Sequence, residues 1–223
     1  MKLLQHLVDK LKALPEVDIS KQRGYQYLNK EVIRGSLVEN MPLLQDITEI
    51  DIKFLYPNIL VGLSKNGLID KKWNSEIEDI KYFLLNHNHM KGGSDYNDWK
   101  SKVNSAFIKI RSSKVGEYLD LFYDDILKEL KDDIIIIHVD KLIVKTESVS
   151  KVLKRLEEID STILLKDLQL MMVDSIFKWI ALDKLGRIES RGFKGVKEEE
   201  LKLRLELELR KISREKKINQ LLN

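Results

Sequence analysis

The sequence predicts an α+β protein, an antiparallel sheet flanked by helices, and three observations carry that reading. Two β-branched runs, Ile134 to Ile137 and Leu142 to Val144, enclose the short polar break His138-Val139-Asp140. Two half-buried strands joined by a tight turn have this form. Leu3, Leu4, Leu7, Val8, Leu11 and Leu14 recur at helical spacing, as do Tyr118, Leu119, Phe122, Ile126 and Leu130. Thr162 to Val173, Ser175 to Leu182 and Arg187 to Phe193 read as closing strands, the last two joined by the turn Asp183-Lys184-Leu185-Gly186.

In chain order, the first helical stripe is stopped by Pro15. Residues 18–35 are polar and irregular, with Arg23, Tyr25 and Tyr27 interleaved, which suits a surface loop and also a nucleic-acid contact by charge and stacking. Ser36 to Leu55 reads as strands leading into Glu49-Ile50-Asp51-Ile52, broken at Tyr56-Pro57-Asn58, where a short helix begins. An isolated carboxylate inside an apolar strand costs several kcal/mol unless it is paired or binds a metal. Asp51, together with Asp140 in the turn, therefore suggests one shared cation site. Gly62 to Asn74 reads as a loop around Asn66-Gly67. Ser75 to Asn88, capped by Asn74 or Ser75, and Ser94 to Ser112, capped by Ser94, read as a helical hairpin joined by a turn from His87 to Gly93. His87 and His89 have no third ligand nearby, a weak metal signal. Lys100 and Asn104, four residues apart, share a face of the second helix. Ser148 to Ile159 is helical. In the tail, Leu201, Leu203, Leu205, Leu207 and Leu209 alternate as in a strand, yet Leu, Glu, Lys and Arg form helices, and Leu201, Leu205, Leu209 and Ile212 make one stripe, so helix is favoured.

Composition excludes some chemistry. The 223 residues suit one large domain, or a domain with a small appendage. With no cysteine there are no disulfides, thiolate zinc sites or cysteine nucleophiles. A formal net charge of +3 is too small to demand a nucleic-acid partner by itself. No apolar stretch is long enough to span a bilayer and no signal peptide is visible, so a cytoplasmic protein with no membrane partner is expected.

Four local patterns, in order, resemble the palm and fingers of family-B DNA polymerases. Asp51-Ile-Lys-Phe-Leu-Tyr-Pro-Asn-Ile59 is similar to the first palm motif, DxxSLYPSI. Lys100-Ser-Lys-Val-Asn104-Ser105-Ala-Phe107 is similar to the fingers motif KxxxNSxYG. Ile137-His-Val-Asp140-Lys-Leu-Ile-Val-Lys145 is similar to the second palm motif, YGDTDSxxVK. Phe177-Lys178-Trp179, then Leu182-Asp-Lys-Leu-Gly186-Arg-Ile and Arg191-Gly192, resembles the KKxY segment and its glycine-bearing hairpin. The resemblance implies a palm built from residues 36–74 and 113–195, short two-helix fingers at 75–112, an N-terminal helix and loop at 1–35, and a reduced helical thumb at 196–223. With so short an N-terminal segment, no proofreading exonuclease is expected ahead of the palm.

It further implies a template-directed DNA polymerase that joins a dNTP to a primer 3′-hydroxyl. In such enzymes two Mg²⁺ ions, about 3.5–4 Å apart, clamp the attacking and leaving oxygens. Asp51 and Asp140 would be the catalytic metal ligands, with the carbonyl of Ile52 as a further ligand. Mn²⁺ is an alternative ion. Lys100, assisted by Lys81, would hold the triphosphate. Asn104 and Phe107 would pack under the nascent base pair, and Tyr56 would lie against the sugar. Lys178, with Trp179 and His138 beside it, would contact nucleic acid. Primer–template DNA is the expected partner, with accessory replication proteins as further ones and a virus or mobile element as the source. Without the motifs, Lys81, Lys100 and Lys178 read as ordinary solvated charges. The chain also departs from the family pattern. His138 replaces the first aspartate of DTD and, if protonated near neutral pH, adds positive charge to the site. Phe54 replaces a serine, Phe107-Ile108 replaces Tyr-Gly, and Ile77 stands where a phosphate-clamping arginine is expected. A palm-derived binding or structural protein that has lost catalysis is therefore the alternative, and a chance likeness is the third reading.

Overall fold

A computed structural model of the protein describes residues 2–14, 25–34, 37–38, 41–110, 113–159, 162–193 and 195–222. Pro15, Arg23, Ser36 and Ser112, used in the sequence reading, lie outside these. The elements in chain order are α1 (Gln5–Ala13), β1 (Gln26–Leu28), α2 (Lys30–Arg34), β2 (Leu37–Val38), β3 (Met41–Ile52), α3 (Leu55–Lys65), α4 (Asn74–Met90), α5 (Tyr96–Ile110), α6 (Ser113–Leu130), β4 (Ile134–His138), β5 (Lys141–Lys145), α7 (Val149–Leu156), β6 (Ile163–Ser175), β7 (Lys178–Asp183), β8 (Ile188–Arg191) and α8 (Glu198–Leu222). The protein is thus α+β, and it divides into two units.

The first unit (Met1–Tyr25, Ile52–Leu130 and Lys151–Leu164) is helical. Its α1 buries Leu7, Val8 and Leu11, and α6 packs on it with buried Tyr118, Leu119 and Phe122. The Tyr118 hydroxyl accepts the Leu4 N–H at 2.9 Å, satisfying one of the open donors at the helix start. Helices α4 and α5 run antiparallel. Phe83 meets Tyr96, Tyr82 meets Trp99, and Asp79 pairs with Lys102 at 2.9 Å, so contacts retreat along one helix as they advance along the other.

The second unit (Gln26–Asp51, Lys131–Ser150 and Leu165–Asn223) holds the sheet, in the order β1-β4-β5-β3-β6-β7-β8 with β2 beside β3. Alternation along the strands makes two apolar faces. One gathers Ile47, Ile136, Ile143, Met171, Val173 and Ala181, with Trp179 half-buried against it. The other buries Leu170, Met172, Ile180 and Leu182 under Leu201 and Leu205 of α8. The tail is therefore helix, as its propensities predict.

Several local expectations are corrected. Within residues 18–35, Gln26–Leu28 is a strand paired with β4 and Lys30–Arg34 a helix. Asn29 fixes that corner, donating from Nδ2 to the carbonyl of Lys131 at 2.8 Å. Residues 62–74 are largely helical: α3 continues to Lys65, and a 3₁₀ turn, Lys71–Trp73, is capped by the Asp70 carboxylate, which accepts the Lys72 N–H at 3.0 Å. Neither Asn74 nor Ser75 caps α4, which begins at Asn74 with no side-chain cap. That helix also runs on through Met90 where a turn was expected, because His87 packs its ring 4.6 Å from that of Phe54. Ser94 donates to Asp95 Oδ1 at 2.7 Å, and the Asp95 carbonyl takes the first α5 bond, from Trp99. Pro57 does not break β3. The strand ends at Ile52, the chain turns through Phe54 (φ 54°), and Pro57 falls in the first turn of α3, where a missing N–H costs nothing. Among the described residues no helix is long and apolar enough to cross a membrane.

Candidate functional site

Strand β3 places Ile47, Glu49 and Asp51 on one face, because side chains alternate. The register sets them opposite Lys145, Ile143 and Lys141 of β5. Directly opposed residues stand about 4.5–5.5 Å apart at Cα, so the cross-strand partner of Asp51 is a lysine. The Lys141 ammonium donates to Glu49 Oε1 at 2.8 Å. Glu49 is 4% exposed, and its other oxygen, Oε2, has no hydrogen-bond partner. Burial pulls the Lys141 pKa down, but the bond to Glu49 and the fields of Glu49, Glu189 and Asp51 hold it above the ordinary lysine value.

Asp140 adjoins this cluster through the β4–β5 turn. His138 pairs with Lys141, leaving Val139-Asp140 as a two-residue loop. Val139 has φ 61° while Asp140 stays at negative φ, the type II′ pattern that matches strand twist. A β-branched residue is costly in that region. The turn thus sets the backbone of Asp140 one residue from the partner of Asp51.

The same sheet face continues across β7 and β8. Ala181 pairs with Glu189 and Trp179 with Arg191. Glu189 accepts a bond from Lys166. His138 lies edge-on to Phe177 at 6.3 Å, and the Arg191 guanidinium sits 5.4 Å over the Phe177 ring. Burial first, then the charges of Arg191 and Lys141, push the His138 pKa below its ordinary value of 6.5. This environment disfavours the positive charge that the sequence reading allowed for His138. Gly192 has φ 79°, and a Cβ on it would meet the Phe177 carbonyl oxygen at 2.4 Å, so only glycine lets this turn close on Phe177-Lys178. Lys178 is exposed and pairs with Asp174 at 3.4 Å. Trp179 spends its ring on the sheet core.

The remaining matched residues belong to the first unit. Tyr56, in the first turn of α3, meets Phe107 of α5 edge-to-face at 5.3 Å. Lys100, Asn104 and Phe107 fall at i, i+4 and i+7 and share one face of α5. Lys100 and Asn104 are exposed, whereas Val103, Ala106 and Ile110 hold the buried side. Lys81 is tied to Glu78 on its own helix. Ile52, the last residue of β3, has a fully buried side chain.

Among the described residues no three His, Cys, Asp or Glu side chains converge as a metal cage. Mg²⁺ bound with a nucleotide takes one or two carboxylates, the rest of its shell being phosphate and water. Asp51 and Asp140 fit that donor set in kind, and Glu49 Oε2 is a further hard oxygen two residues along the same face. Sequence reasoning missed Glu49, Lys141, Glu189 and Arg191. The signal for the first was present: two acids at i and i+2 in an apolar strand must share a face. Comparison of the chain with protein-family models and with curated proteins finds no match.

Proposed function

We propose that this chain is a nucleotidyl-transfer core of the family-B DNA polymerase kind, with a palm-like sheet that extends a primer on DNA from dNTPs. The observation that carries the reading is the strand register: Asp51 lies opposite Lys141, and Asp140 is the residue before it. Two carboxylates distant in sequence thereby flank one hairpin tip. Bound Mg²⁺ supplies positive charge to the attacking and leaving oxygens of the transfer. Asp51 and Asp140 would hold it there, and the Val139 turn fixes the position of Asp140. The Glu49–Lys141 pair, buried at its glutamate end, braces the end of β3. The roles given to Lys100, Asn104, Phe107 and Tyr56 rest on the motif match. Reduced fingers and thumb belong to the same proposal.

The test is primer extension with Mg²⁺ or Mn²⁺, comparing the wild type with Asp140→Asn. Extension by the wild type, abolished in the variant, is the expected result. Lys100→Ala should then raise the apparent KM for nucleotide more than it weakens DNA binding.

The second reading, a palm-derived nucleic-acid-binding or structural protein without catalysis, is favoured by one observation. The Lys141 ammonium already stands among Glu49, Asp51 and Glu189, where it neutralises carboxylate charge without a metal. A wild type that extends no primer but binds DNA in a salt-sensitive way decides for this reading.

A further inference from the structure

Phe177, in the turn between β6 and β7, is 52% exposed, yet its surroundings are fixed. Its N–H donates to Ser175 Oγ at 3.3 Å, and the left-handed Gly192 passes directly against its carbonyl. The Arg191 guanidinium lies 5.4 Å over its ring, and His138 meets the ring edge-on at 6.3 Å. Trp179, two residues on, packs its ring against the sheet core. Phe177 is therefore the ring that this end of the sheet presents outward. An exposed ring already held through its backbone and its neighbours loses little freedom when a ligand packs on it.

Arg191 supplies the charge. Among the described residues it makes no ion pair: Glu189, two residues before it, is held by Lys166, and Asp174 is held by Lys178. A guanidinium over a ring keeps its N–H groups in its own plane, free for an anion at its edge. Lys178 repeats the arrangement on the other side of β7, 5.8 Å over the ring of Phe193. This end of the hairpin thus carries two cations on two rings. A matching ligand has an anion for the guanidinium edge and a flat face for the exposed ring. The carboxylate of an acidic peptide offers only the first, and a base pair within a duplex has its faces covered. An unpaired nucleotide offers both, a phosphate and a bare base.

We propose that Phe177 and Arg191, with His138 at the ring edge, form a stacking ledge for an unpaired base of single-stranded DNA, whose phosphate takes the Arg191 N–H groups. The ledge deepens the proposed function, on which it rests, by naming an unpaired strand as what this end of the sheet receives. It adjoins the same hairpin tip as Asp140, since His138 precedes that residue by two. The contact differs in kind from the one expected of Lys178. A lysine holds a phosphate whatever base is attached, whereas Phe177 gains nothing from a nucleotide without its base.

The test is fluorescence anisotropy on the full chain, in EDTA and without dNTP. The probes are a labelled oligothymidylate of about twelve nucleotides and a strand of the same length and charge whose sugars carry no base. The wild type should bind the intact strand about 5- to 50-fold more tightly. Phe177→Ala should bind both strands alike, at the wild type's affinity for the abasic one and with unchanged circular dichroism. Phe177→Trp should restore the preference. Arg191→Lys should narrow the preference while keeping the slope of affinity against salt. A wild type that binds the two strands alike, or binds neither at low salt, overturns the proposal, as does a preference that survives Phe177→Ala. Displacement of the intact strand by polyglutamate as readily as by unlabelled oligothymidylate would assign the ledge to acidic peptide and likewise overturn it. A preference for the intact strand in a chain that extends no primer upholds the ledge and defeats the polymerase reading, and extension without that preference does the reverse.

Discussion

Replacing Lys141 by methionine tests the cluster beneath the hairpin tip. The perturbation keeps the aliphatic stem and deletes the ammonium. Glu49, with a side chain only 5% exposed, is then left with neither oxygen bonded. Removing one member of a fully buried pair costs about 3–5 kcal/mol. The Lys141 side chain is 40% exposed, so water screens part of that interaction, and about 2–3 kcal/mol is the expected loss. For a chain of this size that corresponds to a fall in Tm of roughly 5–10 °C.

The assay is denaturant unfolding of wild type, Lys141→Met, Glu49→Leu and the double variant, read as a double-mutant cycle. Glu49→Leu/Lys141→Met should recover most of the loss, since an apolar pair replaces a buried ionic one at little cost. Metal affinity should move the opposite way. With the ammonium gone, Mn²⁺ titrated onto Lys141→Met and followed by electron paramagnetic resonance should bind more tightly than to the wild type, because a repulsive charge beside Asp51 has been removed. A Lys141→Met protein within 0.5 kcal/mol of wild type, or a cycle with no coupling, would refute the claim that this lysine holds Glu49 and faces Asp51.

Other expectations follow from particular contacts. Asp183, 2% exposed, accepts the N–H groups of Leu185 and Arg187 and the Arg187 guanidinium. Burial pushes its pKa up, but those donors hold it below the usual carboxylate range. Its stability contribution is therefore full above the unfolded pKa of about 3.9 and lost as pH falls through the lower folded value. Asp183→Asn should cost about 1.5–3 kcal/mol at neutral pH, and the gap to wild type should close below pH 4 in thermal melts. Gly192→Ala should lower stability by about 2 kcal/mol or more in the same assay, since both the positive φ and the Phe177 carbonyl oppose a Cβ. Val139→Gly should raise stability by about 0.5–1 kcal/mol by relieving a left-handed valine, and a loss on unfolding by denaturant would contradict that assignment.

The parts of the fold that were legible in the sequence carry their own periodicity. The Ile134–Ile137 and Leu142–Val144 runs give the β4–β5 hairpin at its observed place, and the leucine and aromatic stripes give α1 and α6. What was illegible depends on distant partners. Gln26-Tyr27-Leu28 has no β-branched residue and no alternation, and becomes a strand because β4 offers it an edge. The polar run His87 to Met90 reads as a turn until Phe54 and Phe83 are there to receive His87. In the site, Asp51 and Asp140 could be singled out as carboxylates in apolar surroundings. That Asp51 is paired could not, because its partner is ninety residues away and is set by a register.

That register joins the two readings of the protein. A carboxylate at the end of an apolar strand requires a cation, and this sheet supplies one covalently, one residue after Asp140. If Lys141 were a full substitute for a metal, the acids around it would be matched by its bonds, yet Glu49 keeps an oxygen without a partner inside the sheet. The Lys141 ammonium reaches Glu49 Oε1 and Lys166 serves Glu189, so Glu49 Oε2 is left inside the sheet without a bond. An unbonded carboxylate oxygen in a buried position is the group that a further cation would satisfy. Catalysis then turns on where that cation sits. At the tip beside Asp140 it would be near solvent and reach a phosphate, whereas beneath the tip at Glu49 it would only brace the strands. Replacing Asp140 separates these cases, because Mn²⁺ binding should be lost in the first and kept in the second.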